Sequence, residues 1–308
     1  MEIIPSNQPS QRIPLEPEPS LPLTDAHCHL PYGRLPKNPD LSFERQVDRF
    51  VAAGGQYLVT SSIDLNSLHQ MQDFIRDKKR MRLAIGFAPQ TITYTPSPNL
   101  ETEFKNWIVE LKTAVKENPQ VVAIGEIGLD FHHAKTLKHR EHQIQYFRAI
   151  LEQTLDLGKP YMLHVRNPTE ADLDRQAPQH PYNHPDAVNE IILKTLTEFR
   201  VAPERVMWHC FSGPVNWGSR LTQEGYILSV PSSAFGFKRW RKNIENIPVK
   251  YLLTETDSSF QHPYDMGAYN EPVNVKYAVA TLAYLHQKPQ LDIATEVLQN
   301  FQNFFAIS

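Results

Sequence analysis

Thr24-Asp25-Ala26-His27-Cys28-His29-Leu30 is the stretch on which the fold turns. An aspartate opens it, and two histidines follow two residues apart. Side chains two apart on a β-strand point to the same face. His27 and His29 therefore direct both imidazoles at one place. Imidazole is a common ligand for borderline divalent metals, and two of them make half of a site. Two satisfied core histidines fit the same pair, so the rest of the chain has to decide.

Outward from this stretch, short β-rich runs alternate with amphipathic helical segments. The first helix starts at Ser42, an N-cap, and carries Phe43, Val47, Phe50 and Val51 at helical spacing. Further strands are expected over 56–63, 81–88, 121–127 (continuing into Gly128-Leu129-Asp130), 160–165, 205–210, 226–230 and 251–256. Helices are expected near 65–79, 101–118, 136–157, 186–200, 216–224, 239–246, 272–287 and 291–305. The Thr- and Pro-rich segment after Pro89 reads as a loop, as does 166–185 with its four prolines. Eight apolar strands, each followed by a helix, point to an α/β fold of the (β/α)8 TIM-barrel type with an additional C-terminal helix. An open doubly wound sheet is the alternative, but no Gly-rich phosphate loop follows the first strand. Residues 1–22 carry Pro5, Pro9, Pro14, Pro17, Pro19 and Pro22 and read as an extended arm; 23–308 reads as a single barrel.

The chain has 308 residues, is 41% hydrophobic and carries a net charge of −3, so no basic bias favours tight, nonspecific duplex binding. Its two cysteines, Cys28 and Cys210, each adjoin a candidate ligand histidine and read as small buried reduced thiols. No apolar run approaches the roughly 20 residues of a membrane span. The arm lacks an apolar signal core. The expectation is a soluble cytoplasmic protein without membrane association.

In such barrels the C-terminal strand ends carry the chemistry. The polar exceptions fall there: His27 and His29 on strand one, Glu126 on strand four, His164 on five, His209 on six and Asp257 on eight. Any one of them fits a core histidine, an ion-pair partner or a helix cap. Four imidazoles and two carboxylates in one barrel mouth are costly to bury unless a cation sits among them. One or two divalent ions satisfy that demand. A plausible partition gives His27, His29, Glu126 and Asp257 to one ion, and Glu126, His164 and His209 to the other, with Glu126 bridging. Two ions can activate a water and stabilise the oxygens of an in-line displacement.

Taken in order, these segments resemble the TatD-type metal-dependent deoxyribonucleases of the amidohydrolase-like barrels. The likeness rests on Asp25 to Leu30, Gly125-Glu126-Ile127-Gly128-Leu129-Asp130-Phe131, Gln143 and Phe147. It continues through Leu163-His164-Val165-Arg166, His209-Cys210-Phe211-Ser212-Gly213, Glu255-Thr256-Asp257, Asn270-Glu271-Pro272 and the closing segment from Asn300 to Phe305. It implies a metal-dependent hydrolase using zinc, magnesium or manganese, and 3′-5′ exodeoxyribonuclease action on DNA ends through a metal-activated water. By motif position the metal ligands are His27, His29, Glu126, His164, His209 and Asp257. Asp257 is the candidate general base, and Glu126 stands where the family bridges its metals. Arg166 and Ser212 are candidate substrate contacts, and Asp25 supports the histidines from behind. No lysine occupies the strand-four end, which argues against the cyclic-amidase branch. The chain departs from the family pattern at Gly86-Phe87-Ala88-Pro89-Gln90, where Gly-x-His-Pro-His is usual, at Ser258-Ser259-Phe260, and at Met266 to Tyr269. These departures keep two other readings in play. One is a hydrolase of a small ester, lactone or amide. The other is a non-catalytic, metal-stabilised interaction scaffold, for which the sequence names no partner. Loop 167–185 is read either as a specificity lid or as a solvated insertion.

Overall fold

A computed structural model describes residues 12–32 and 41–307. Among these, eight strands hydrogen-bond in one sheet in the order β1 to β8: Thr24–Cys28, Tyr57–Ser61, Met81–Ile85, Val121–Asp130, Tyr161–Arg166, Val206–Trp208, Ile227–Pro231 and Leu252–Glu255. Neighbouring strands run parallel, and helices stand between them, so the fold is a (β/α)8 barrel. The helices are α1 (Phe43–Ala52), α2 (Leu65–Ile75), α3 (Pro89–Tyr94), α4 (Ser97–Glu117), α5 (Leu137–Thr154), α6 (Ala187–Glu198), α7 (Val215–Glu224), α8 (Lys238–Ile244), α9 (Val275–His286) and α10 (Gln290–Phe305). β1, β4 and β8 are buried along their whole length. That accounts for their near-continuous apolar runs.

The contacts divide into two compact units. One comprises Met1–Thr60, Phe74–Arg82 and Cys210–Ser308; the other comprises Ser61–Asp73 and Leu83–His209.

In the first unit, β8 lies beside β1. Thr254 Oγ1 donates to the Thr24 carbonyl at 2.8 Å, and the Asp257 N–H donates to the His27 carbonyl at 2.9 Å. Ser42 caps α1 by accepting from the Arg45 N–H, as its sequence predicts. In α10, Phe301 stacks on Tyr57 at 5.8 Å, and Asn300 Nδ2 donates to the Val249 and Leu252 carbonyls at the start of β8. Residues 12–22 hold no helix or strand. They pack down nonetheless: Ile13 is buried against Phe235 and Ala280, and Gln290 bonds the backbone of Glu16 and Glu18. The rest of the Pro-rich arm, residues 1–11, lies outside the described residues.

In the second unit, β4 is ten residues long, about twice an average strand. Its register against β5 runs from Ile124↔Tyr161 to Asp130↔Arg166. Gly128 (φ 134°) permits that pairing, because a Cβ there would lie 2.2 Å from the His164 carbonyl oxygen. The segment after Pro89, expected as loop, instead forms the six-residue helix α3, and α4 begins four residues earlier than predicted. Proline in the first helical turn loses no intrahelical bond, so Pro89 and Pro98 start helices here rather than break them.

Loop 167–185 contains a single 3-10 turn, Glu170–Asp172. It is tied down by Arg140, a buried guanidinium that donates to the carbonyls of Ala134 (3.1 Å), Tyr182 (2.7 Å) and Asp172 and to Asn183 Oδ1 (3.1 Å). Asn183 in turn bonds the Asp174 and Ala177 carbonyls. Asp172 accepts from Thr169, His132 and Lys135.

Candidate functional site

The candidate strand-end ligands form one convergent group in each unit. In the first, His27 Nε2 and His29 Nε2 stand 3.2 Å apart. Asp257 Oδ1 is 3.3 Å from His29 Nε2 and 3.7 Å from His27 Nε2. Donors bound at about 2.0–2.1 Å around a tetrahedral ion lie about 3.3 Å from one another. The three atoms thus already have the spacing that an ion requires. Asp257 follows β8 with φ 52°, a left-handed conformation its backbone bond to His27 maintains. Asn270 braces the same turn, donating to the Thr256 carbonyl at 3.0 Å, and Glu271 pairs with Arg49 at 2.6 Å. These contacts give the Asn-Glu-Pro segment a structural purpose.

Asp25, fully buried, accepts from the Thr256 N–H (2.9 Å), the Thr256 hydroxyl (2.5 Å) and the His27 N–H (3.3 Å). Burial pushes its carboxyl well above the usual range, against the opposing pull of the Thr256 bonds. It ties the backbone bearing His27 to the backbone leading into Asp257.

In the second unit, Glu126 Oε1 lies 2.5 Å from His164 Nδ1 and 3.6 Å from His209 Nε2, and the two imidazole nitrogens are 3.3 Å apart. Two of the three spacings suit an ion. The third is a charge-assisted hydrogen bond that an ion would replace. Burial drives the Glu126 carboxyl up, but the hydrogen bonds and charge of His164 and His209 prevail and hold it well below its usual range. Burial likewise pulls His164 down, yet its bonds to Asp130 and Glu126 raise it to about 9.

The residue that sequence reasoning missed is Asp130. Its Oδ2 stands 3.0 Å from His164 Nε2, on the side of the ring opposite Glu126. A carboxylate there fixes the tautomer and leaves Nδ1 to face an ion. The available signal was parity: Asp130 is four residues beyond Glu126 on one strand, hence on the same face. Gln90, where the resemblance led one to expect histidine, donates from Nε2 to Asp130 Oδ2 at 2.8 Å. Gln143 accepts from the Asp130 N–H and donates to Pro89 O and Thr93 Oγ1, clamping α3 to the end of β4. Arg166 and Ser212 are both exposed. Neither cysteine is in a disulfide; Cys28 is buried as expected, whereas Cys210 is only partly so.

A (β/α)8 barrel whose strand ends gather imidazole and carboxylate in spacings suited to divalent ions defines a metal-dependent hydrolase. The chain belongs to the TatD related DNase family, which it matches over residues 24–306. It is 28% identical over 289 residues to an uncharacterized metal-dependent hydrolase, YabD, of Bacillus subtilis, covering 93% of this chain and 100% of that one. It is 27% identical over 219 residues to the 3′-5′ ssDNA/RNA exonuclease TatD of Pantoea vagans, covering 68% and 76% respectively. Among solved structures it resembles the TatD homologue YJJV of Escherichia coli, with a TM-score of 0.72 at 21% identity over 93% of this chain and 98% of that one. No helix among the described residues is long and apolar enough to cross a membrane.

Proposed function

We propose that this chain is a divalent-metal-dependent phosphodiesterase that releases nucleotides from 3′ DNA ends. His27, His29 and Asp257 hold one ion, and Glu126, His164 and His209 hold another. The observation that carries the reading is the pair of two-imidazole, one-carboxylate groups: all three donor spacings of the first, and two of the three of the second, lie near those of a tetrahedral ion. The relative named as an exonuclease supports the choice of substrate. When bound, the ions acidify a water and neutralise charge on phosphate oxygens.

The chain's own residues do the rest. The Asp257 side chain keeps 15% of its surface exposed, against none for His27 and 9% for His29. It is therefore the member of its group that water and substrate reach, and it serves as general base. Asp25 and Thr256 fix the turn from which it acts. Asp130 and Gln90 orient His164. Arg166, exposed two residues beyond His164, contacts the phosphate backbone, and Ser212 offers a hydroxyl beyond His209.

Single-stranded DNA labelled at either end, incubated with Zn²⁺, Mg²⁺ or Mn²⁺, tests this reading. Stepwise loss of nucleotides from the 3′ end is expected. Intact DNA under all three metals, with turnover of a p-nitrophenyl ester or a lactone, would instead establish a small-ester hydrolase. The amide at Gln90, in place of an imidazole, is the feature that favours that second reading.

A further inference from the structure

Asp130 holds a second histidine. Its Oδ2 accepts from His133 Nδ1 at 2.8 Å, and its Oδ1 accepts the His133 N–H at 2.9 Å. The carboxylate is fully buried, while the His133 side chain is 34% exposed. With Nδ1 donating inward, Nε2 lies on the far edge of the ring, as a hydrogen-bond acceptor at the surface. An imidazole fixed in this way has already lost its rotamer freedom, so a ligand that bonds it incurs little ordering cost.

Tyr94 stands beside it. The rings meet edge to face with centroids 6.3 Å apart, and Tyr94 is 65% exposed. Tyr94 ends α3, the helix that Gln143 clamps through Pro89 and Thr93. A large aromatic ring left open to water on a fixed element is a surface on which a flat group can stack. Both residues follow the C-terminal ends of their strands, β3 and β4, where barrels place their chemistry.

We infer that Tyr94 and His133 form a nucleoside subsite. The Tyr94 ring stacks on the base of the terminal nucleotide, and His133 Nε2 accepts a hydrogen bond from its 3′-hydroxyl. The inference rests on the nucleotide-releasing reading above and names the groups that recognise the end of the strand. A hydroxyl is the matching partner because it can donate to the Nε2 lone pair of an imidazole that donates from Nδ1.

The test is calorimetric titration of the metal-loaded protein with thymidine 5′-monophosphate and with its 2′,3′-dideoxy analogue. The hydroxyl should favour the former by roughly two- to twelve-fold, the range of one net hydrogen bond. His133→Asn retains a donor toward Asp130 but lacks the distal nitrogen, and should abolish that preference with metal content unchanged. Tyr94→Ala should weaken both ligands by roughly five-fold or more, and Tyr94→Phe should restore them. Absence of nucleotide binding by the wild-type protein overturns the subsite, as does hydroxyl discrimination retained by His133→Asn or wild-type affinity in Tyr94→Ala. DNA left uncut with this binding pattern intact would refute the exonuclease reading alone. DNA cut normally with none of these effects would refute the subsite alone.

Discussion

Asp130 Oδ2 and His164 Nε2 meet at 3.0 Å, while Glu126 holds the opposite nitrogen of the same ring. His164 is thus oriented from behind by a buried carboxylate that also receives Gln90. Asp130→Ala should lower metal affinity by about 10- to 100-fold with circular dichroism unchanged. Metal titration of the variant checks this; wild-type affinity would remove Asp130 from the site.

Asp257 combines ligand spacing with exposure. Asp257→Asn keeps the shape of the side chain and removes its basicity. Turnover should fall by about 100- to 10,000-fold with the thermal midpoint little changed. Steady-state kinetics beside a melting curve separate loss of chemistry from loss of fold.

Thr256 supplies two of the donors that Asp25 accepts. Thr256→Val deletes the hydroxyl and leaves part of a buried carboxyl unsatisfied. A loss of about 1–3 kcal/mol is expected, read as a lower urea midpoint with unchanged slope.

Asp172 anchors loop 167–185. Burial raises its carboxyl, but the bonds from Lys135, Thr169 and His132 prevail and hold it below the ordinary range. Its folded value lies under the unfolded value of about 3.9. Its contribution to stability is therefore complete above about pH 4 and is lost as the pH falls further. Urea midpoints of wild type and Asp172→Ala should differ at pH 7 and pH 5 and converge below pH 4. A constant gap across this range would mean that the effect of Asp172 is not electrostatic.

Chelation should abolish hydrolysis and lower the melting temperature, and returning zinc should restore both. At about 100 times its dissociation constant, a ligand bound only by the folded state adds about 2.7 kcal/mol. Melting curves at graded zinc concentrations measure that term directly.

The candidate ligands at the strand ends were legible as a group because charged groups and imidazoles stand out in apolar runs whose faces are all buried. Asp130 was harder to see. Its role depends on which imidazole nitrogen faces which carboxylate, a property that is not written locally. Helix α3 escaped because it is short, begins with Pro89 and carries two β-branched threonines, all features shared with loops. The fixing of loop 167–185 was invisible for another reason: Arg140 reaches it across 42 residues to Tyr182, a pairing without periodicity.

The joining of β1 to β8 has a bearing on how the protein is made. Thr256 reaches Asp25 across 231 positions, and the Asp257 N–H meets the His27 carbonyl beside it. During synthesis, His27 and His29 precede Asp257 by more than two hundred residues. An ion held by all three cannot nucleate local folding. A group of these three side chains closes only once β8 has been laid beside β1, a pairing of distant segments of the kind that forms slowly.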